Sequence, residues 1–192
     1  MHIFGPQHES PITTAASFRD LYERDRMPVF RYLYGLTGGP EDLVEDLAAE
    51  TFLRAWRARH RYDGSLDSAI RWLLRIAKRL AIDNYRRRAV QTAHIDLFPV
   101  TAESEPEQSA IAREQQRLLL QLLDGLPDEH RELLVLRYVL GWRVNEIADH
   151  IGTTENHVSV TIHRTLSKLR EAWSMADDEN MATVFADKEK IS

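Results

Sequence analysis

The chain predicts an all-α fold of two small helical domains joined by a flexible linker. Three observations carry that prediction. Apolar residues recur at three- and four-residue spacing through most of the 192 residues. Between Ala89 and about Ala110 the periodicity lapses, and Pro99, Pro106 and a run of acids take its place. The charge also divides along the chain: the formal net charge is −5, yet residues 54–88 hold eleven Lys and Arg against three Asp and Glu. Residues 89–132 reverse that balance, with three bases and nine acids.

A hydrophobic fraction of 43% is ordinary for a folding chain. The absence of cysteine excludes disulfides, thiolate zinc sites and direct thiol redox sensing. No apolar run approaches the roughly eighteen residues of a membrane span, and the amino terminus does not resemble a signal, so the expected location is the cytoplasm. Eight histidines are scattered without ligand spacing, and neither a nucleophile–base pair nor a Gly-rich phosphate loop stands out. An enzyme is therefore not expected, and no metal or cofactor is implied.

In chain order, residues 1–16 contain Gly5, Pro6 and Pro11 without periodicity and read as a mobile lead-in. Phe18, Leu21, Tyr22, Val29, Phe30, Leu33 and Leu36 are helically spaced, with Pro28 expected to kink or divide the segment. Gly38-Gly39-Pro40 forces a turn, and Pro40 suits the first position of a second helix. Glu41, Asp42, Glu45 and Asp46 load its first turns with the negative charge a helix dipole favours. Leu43, Val44, Leu47, Ala48, Phe52, Ala55 and Trp56 supply its apolar side. These acids lack the Glu-x-x-His partner of a bundle metal site. Arg54, Arg57, Arg59 and Arg61 follow, and Tyr62-Asp63-Gly64-Ser65 forms a polar loop. Aromatics and bases beside such a loop suit an unstacked nucleotide.

Ile70 to Arg88 is the most patterned segment. Ile70, Leu73, Leu74, Ala77, Leu80 and Ala81 form a core stripe, while Arg71, Arg75, Lys78, Arg79 and Arg86 line the other side. The only acid is Asp83, placed to pair with Arg79 or Arg87. A surface helix ordinarily mixes charge signs, so a nearly one-signed row of arginines points to a polyanion.

After the linker, helices are expected over Ile111 to Leu123 and from Leu126-Pro127 to Gly141. Val144, Ile147, Ala148 and Ile151 then form a short helix stopped by Gly152, and Thr154 caps another with core positions Val158, Ile162, Leu166 and Leu169. This is the form of a helix-turn-helix. It leaves Glu155, Asn156, Ser159, Val160, His163 and Arg164 exposed, a set able to read base edges in a major groove. Beyond it, the acids Asp177, Asp178 and Glu179 suggest a disordered or loosely docked tail.

Together these segments resemble the bacterial sigma-70 family, specifically its small extracytoplasmic-function (ECF, group IV) members. Glu45-Asp46-Leu47 through Glu50-Thr51-Phe52-Leu53-Arg54-Ala55-Trp56 is similar to the family's polymerase-binding helix. Trp72 to Ala77 with Asp83 and Arg86-Arg87-Arg88 is similar to its −10 element. Leu126-Pro127, Leu133 to Tyr138, Gly141, Glu146-Ile147-Ala148 and His163-Arg164 are similar to its −35 domain.

The resemblance implies a sigma region 2 bundle over 17–89, a linker over 90–110, a sigma region 4 helix-turn-helix over 111–174, and a tail over 175–192. It implies core RNA polymerase, promoter DNA and an anti-sigma factor as partners, with no insertion into a membrane. Polymerase contacts would come from Leu43, Asp46, Leu47, Glu50, Phe52, Leu53 and Trp56. The melted −10 strand would meet the 61–68 loop with Arg61, Arg71, Arg75, Lys78, Arg79 and Arg86. The −35 groove would meet Glu155, Asn156, Ser159, Val160, His163, Arg164 and Lys168. The acidic linker would thread toward the active-site cleft. An acidic total suits a subunit that the polymerase delivers to DNA, whereas a free-standing helix-turn-helix regulator, the competing reading, needs firm DNA affinity of its own.

Several positions depart from the family pattern. Ala49 stands where a glutamine is common, and Arg79 where an asparagine is common. Ser159 and Thr161 replace basic residues, leaving Arg164 as the main cationic reader. Arg143 replaces a serine cap, at an expected cost of about 1 kcal/mol.

Overall fold

The computed structural model describes the backbone of residues 12–91 and 118–189, and the side chains of 12–85 (Asp67 excepted) and 118–175. Among these residues the secondary structure is helical, with no strand. The chain divides into two compact units, Met1–Pro99 and Val100–Ser192.

In the first unit α1 (Ala15–Thr37), α2 (Glu41–Ala58) and α3 (Ala69–Gln91) each pack on the other two. Apolar side chains at helical spacing converge between them, and Leu21, Val29, Leu33, Val44, Leu73, Leu74 and Ala77 are fully buried. Burying each large aliphatic side chain contributes about 1.5–3 kcal/mol, so this common core dominates the stability of the unit. Two edge-on aromatic pairs tie α1 to α2: Phe18 with Trp56 at 5.1 Å, and Tyr22 with Phe52 at 4.8 Å.

Pro28 does not divide α1, which runs unbroken across it. Proline removes one rung of the hydrogen-bond ladder, but Val29, Tyr32 and Leu33 on its far side are fully buried and hold the helix together by packing. Helix α1 ends at Gly38, whose φ of 55° is the left-handed conformation glycine supplies without a Cβ penalty. Pro40 is the cap before α2 rather than its first helical residue; its carbonyl accepts the Val44 amide at 3.2 Å.

The lead-in expected over residues 1–16 is folded from Ile12 onward. Ile12 is fully buried, the Arg59 Nε donates to the Thr13 carbonyl at 3.0 Å, and the Thr14 hydroxyl caps α1 by accepting the Ser17 amide at 3.1 Å.

In the second unit residues 118–124 form α4, and α5 (Asp128–Leu134) continues as one wider turn through Val139. That turn has a Leu140 amide bonded to the Val135 carbonyl at 3.0 Å, the signature of a π-bulge. The linker and residues 111–117 lie outside the described residues.

Arg131 is 6% exposed and donates to the carbonyls of Leu123 and Asp124 at 2.9 and 2.6 Å, satisfying the open end of α4. Helices α6 (Val144–Ile151) and α7 (Glu155–Glu189) complete the unit. Leu133, Leu136, Ile147, Val158 and Ile162 are buried where α5, α6 and α7 meet.

The lost serine cap at Arg143 is offset in part. Arginine has no acceptor, but the Glu146 carboxylate reaches back to accept the Arg143 amide at 2.7 Å, which is the reciprocal half of a capping box. Within the tail, the backbone of α7 stays helical through Glu189. Helix propagation adds one hydrogen bond per residue once a helix exists, so an acidic run need not stop it.

Candidate functional site

Three exposed faces gather the residues singled out in the sequence. The first lies on α2. Asp46 and Leu53 are exposed, the latter by 42%, and Leu43 and Glu50 are partly exposed. Glu50 is engaged by the Arg54 guanidinium at 2.7 Å. Leu47 and Phe52, each 6% exposed, turn mainly into the bundle, and of the two only Phe52 also lines the groove between α1 and α2. The reason is register: Phe52 and Leu53 are neighbours a hundred degrees apart on the helix, and only the former faces α1. Trp56 is half-buried between the Phe18 ring and the Arg59 guanidinium, which stands 3.6 Å from its ring centre.

The structure adds α1 to this face. A groove of about 330 Å³ between α1 and α2 is lined by Tyr22, Met27, Phe30, Ala48, Ala49 and Phe52, with Arg26, Glu41 and Glu45 also contributing. Tyr22 and Met27 are 42% and 44% exposed. Sequence reading placed Tyr22 among the helically spaced apolar positions and did not single out Met27; their position opposite α2 identifies both as a surface.

The second face is the basic side of α3. Arg75 and Arg79 are exposed, Arg71 and Lys78 are half-buried, and Arg61 is exposed at the end of the single helical turn Arg59–Arg61. The Arg86 side chain, with those of Arg87 and Arg88, lies outside the described residues, although the backbone there is helical. Tyr85 is 61% exposed, and its place seven residues after Lys78 and fourteen after Arg71 sets an aromatic ring on the same stripe. The helical spacing that selected the arginines would have found it.

The loop preceding α3 is more ordered than a polar linker. The Tyr62 hydroxyl donates to the Ser65 carbonyl at 2.6 Å and lies 2.7 Å from Ser68 Oγ. The Ser65 hydroxyl caps the turn Leu66–Ser68 by accepting the Ser68 amide at 3.3 Å. Tyr62 is only 8% exposed, with its ring 4.9 Å from that of Trp72, so it braces the loop and is not free to stack on a nucleotide as the sequence suggested. Gly64 is required here: a Cβ on it would lie 2.5 Å from Tyr62 Oη and 2.8 Å from Ser68 Oγ.

The third face is the amino-terminal half of α7. Gly152 turns the chain with φ 75°, and Thr154 Oγ1 accepts the His157 amide at 3.2 Å, as cap and turn chemistry required. Glu155, Asn156, Ser159, Val160, His163, Arg164 and Lys168 are all exposed, while Val158, Ile162 and Thr165 are buried. Thr165 ties α7 to α5, its Oγ1 standing 3.2 Å from His130 Nδ1. A rigid helix therefore presents these seven side chains from a fixed base.

Among the described residues no group of His, Asp or Glu is arranged to hold a metal ion, and no helix is long and apolar enough to cross a membrane.

Comparison with known proteins places both units. The family described as Sigma-70 region 2 matches residues 21–90, and that described as Sigma-70, region 4 matches residues 116–169. The chain is 30% identical over 168 residues to the ECF RNA polymerase sigma factor SigD of Mycobacterium bovis, covering 84% of this chain and 79% of the relative. It is 27% identical over 172 residues to the ECF RNA polymerase sigma factor SigX of Bacillus subtilis, covering 86% and 88%.

Among solved structures it is similar to the sigma factor RpoE of Bartonella quintana, in a complex with the anti-sigma factor NepR. That match has a TM-score of 0.66 and 18% identity, covering 83% of this chain and 98% of that one. A second fold neighbour is CnrH in complex with the cytosolic domain of CnrY, with a TM-score of 0.62 and 23% identity, covering 84% and 90%.

Proposed function

The chain belongs to the ECF RNA polymerase sigma factors, and from that membership we propose how its residues divide the work of initiation. As a sigma factor it binds core RNA polymerase, recognises the −10 and −35 promoter elements and promotes melting. The assignment of faces is our reading. The α1–α2 groove with Asp46, Glu50 and Leu53 takes the polymerase. The α3 stripe with Arg61 and loop 62–68 holds the −10 strand. The exposed side of α7 enters the −35 major groove.

The observation that carries this reading is the pairing, in one acidic chain, of a one-signed arginine stripe in the region 2 unit with an exposed helix-turn-helix face in the region 4 unit. A segment that is net +8 over residues 54–88, within a chain of net −5, suits local contact with phosphates after delivery by a larger enzyme. The protein performs no catalysis itself and acts in the cytoplasm. An anti-sigma factor is its natural regulator, as a complex with the anti-sigma factor NepR is known for the fold neighbour RpoE.

The test is fluorescence anisotropy of the labelled chain titrated with core polymerase, beside a titration with duplex promoter DNA alone. Tight polymerase binding with little DNA binding is the expected result. Firm, salt-sensitive DNA binding without polymerase binding would make the chain a free-standing regulator.

A further inference from the structure

Loop 62–68 is held from two sides by hydrogen bonds to its own backbone. From within, the Tyr62 hydroxyl bonds the Ser65 carbonyl at 2.6 Å. From outside, Arg24 on α1 donates through Nη2 to the Leu66 carbonyl at 2.8 Å, across 42 residues of sequence. The same guanidinium is gripped by its neighbour Asp25, with Nε to Oδ1 at 2.9 Å and Nη2 to Oδ2 at 2.7 Å. The Asp25 side chain is 6% exposed, so the pair is fixed where it stands. Two parallel charge-assisted bonds orient a guanidinium far more narrowly than a single contact, leaving Nη2 aimed at the loop.

We propose that Arg24, oriented by Asp25, and Tyr62 are positioning residues that set the shape of loop 62–68 for choice of the −10 base. This rests on the reading that the loop meets the −10 strand. A recognition loop selects among bases only if its own shape is fixed, because a loop that relaxes around each base binds all of them alike. Four polar groups converge on the short span Ser65–Ser68: the Tyr62 hydroxyl, the Arg24 guanidinium, and the two serine hydroxyls themselves. Neither positioning side chain needs to touch DNA. Because Arg24 lies two residues from Tyr22 on the groove-bearing helix, the loop is also anchored to the helix that lines the groove assigned to polymerase.

The experiment uses the full chain in reconstituted holoenzyme. Open-complex yield is measured on a cognate promoter and on a set with single −10 substitutions, for wild type, Tyr62→Phe and Arg24→Gln. Polymerase affinity by anisotropy and the melting temperature are recorded alongside. Tyr62→Phe keeps the ring and removes only the hydroxyl, so it tests the proposal even if Arg24→Gln fails to fold.

The expected result is that the ratio of cognate to substituted yield falls roughly threefold to tenfold, the worth of one hydrogen bond, with polymerase affinity unchanged. A merely structural role would lower every promoter by the same factor; that result, or an unchanged ratio, overturns the proposal. Asp63→Ala and Arg61→Ala, at exposed positions of the loop and its approach, separate the two failures. If these change −10 preference and Tyr62→Phe does not, positioning alone is wrong; if none of them changes it, the loop is not the −10 reader.

Discussion

The Arg59 guanidinium lies 3.6 Å from the centre of the Trp56 ring, donating from Nη1 to the Trp56 carbonyl at 2.7 Å and from Nε to the Thr13 carbonyl at 3.0 Å. An arginine in a basic run, read from sequence as part of a cationic segment, is thus a brace. It closes the end of α2 and pins the chain ahead of α1. Arg59→Ala should destabilise the region 2 unit by about 1–3 kcal/mol, through the loss of a cation–π contact and two hydrogen bonds. Urea unfolding checks the stability. The salt dependence of promoter binding by the holoenzyme should stay unchanged, because no phosphate contact is lost.

Leu53 and Phe52 separate binding from folding on one helix. Leu53 is 42% exposed beside the groove, and Phe52 is buried against Tyr22. Leu53→Asp should leave the melting temperature near that of wild type and weaken polymerase binding at least tenfold, about 1.4 kcal/mol or more. Phe52→Ala should cost about 3–5 kcal/mol of stability as a cavity in the core. Circular dichroism melts and polymerase anisotropy on the two variants decide the matter. A Leu53→Asp chain that binds normally would move the polymerase face elsewhere.

These contrasts show what the linear sequence carries. Helical spacing exposed the core side of α3, and Gly152 with Thr154 marked the helix-turn-helix, because a left-handed turn and a cap are local chemistry settled within four residues. The outward set on α7 followed from the same period. Contacts between residues far apart were not legible. The Arg24 bond to Leu66 and the Arg59 bond to Thr13 span 42 and 46 residues, and nothing in either local pattern names the partner. The apolar side read for α2 includes Phe52 and leaves out Leu53, in line with their burial; it is the polymerase-contact set implied by the resemblance that puts both on one face. Pro28 misled because a local penalty was weighed without the packing on both sides that outweighs it.

Arg75 and Arg79 are the exposed arginines of the α3 stripe whose side chains the structure describes. Replacing both by alanine removes two cations from the face assigned to the −10 strand while leaving the buried stripe Leu73, Leu74, Ala77 and Leu80 intact. Open-complex formation should fall, and polymerase affinity and melting temperature should hold. Permanganate reactivity of unpaired thymines reads the first directly. Undiminished reactivity would remove the stripe from the melting step.

Arg164 stands on the exposed side of α7, one turn beyond Val160 and next to His163, with the buried Ile162 and Thr165 fixing the helix beneath it. Since Ser159 and Thr161 bring no charge, Arg164 is the strongest donor in the half of the helix that follows the turn, and Lys168 is the next cation along it. Arginine presents a fork that matches the two acceptors of a guanine edge, and one such contact is worth roughly 1–3 kcal/mol of discrimination. Arg164→Ala should therefore weaken holoenzyme binding to a promoter with an intact −35 element by about that amount. It should have little effect once that element is scrambled, because no base contact is then left to lose. Lys168→Ala should behave differently, lowering both affinities alike and reducing the salt slope by about one, as removal of a phosphate contact does. Competition binding at two salt concentrations distinguishes the two patterns. Equal losses for Arg164→Ala on intact and scrambled elements would make it a backbone contact and leave base reading to Asn156, Ser159 and His163.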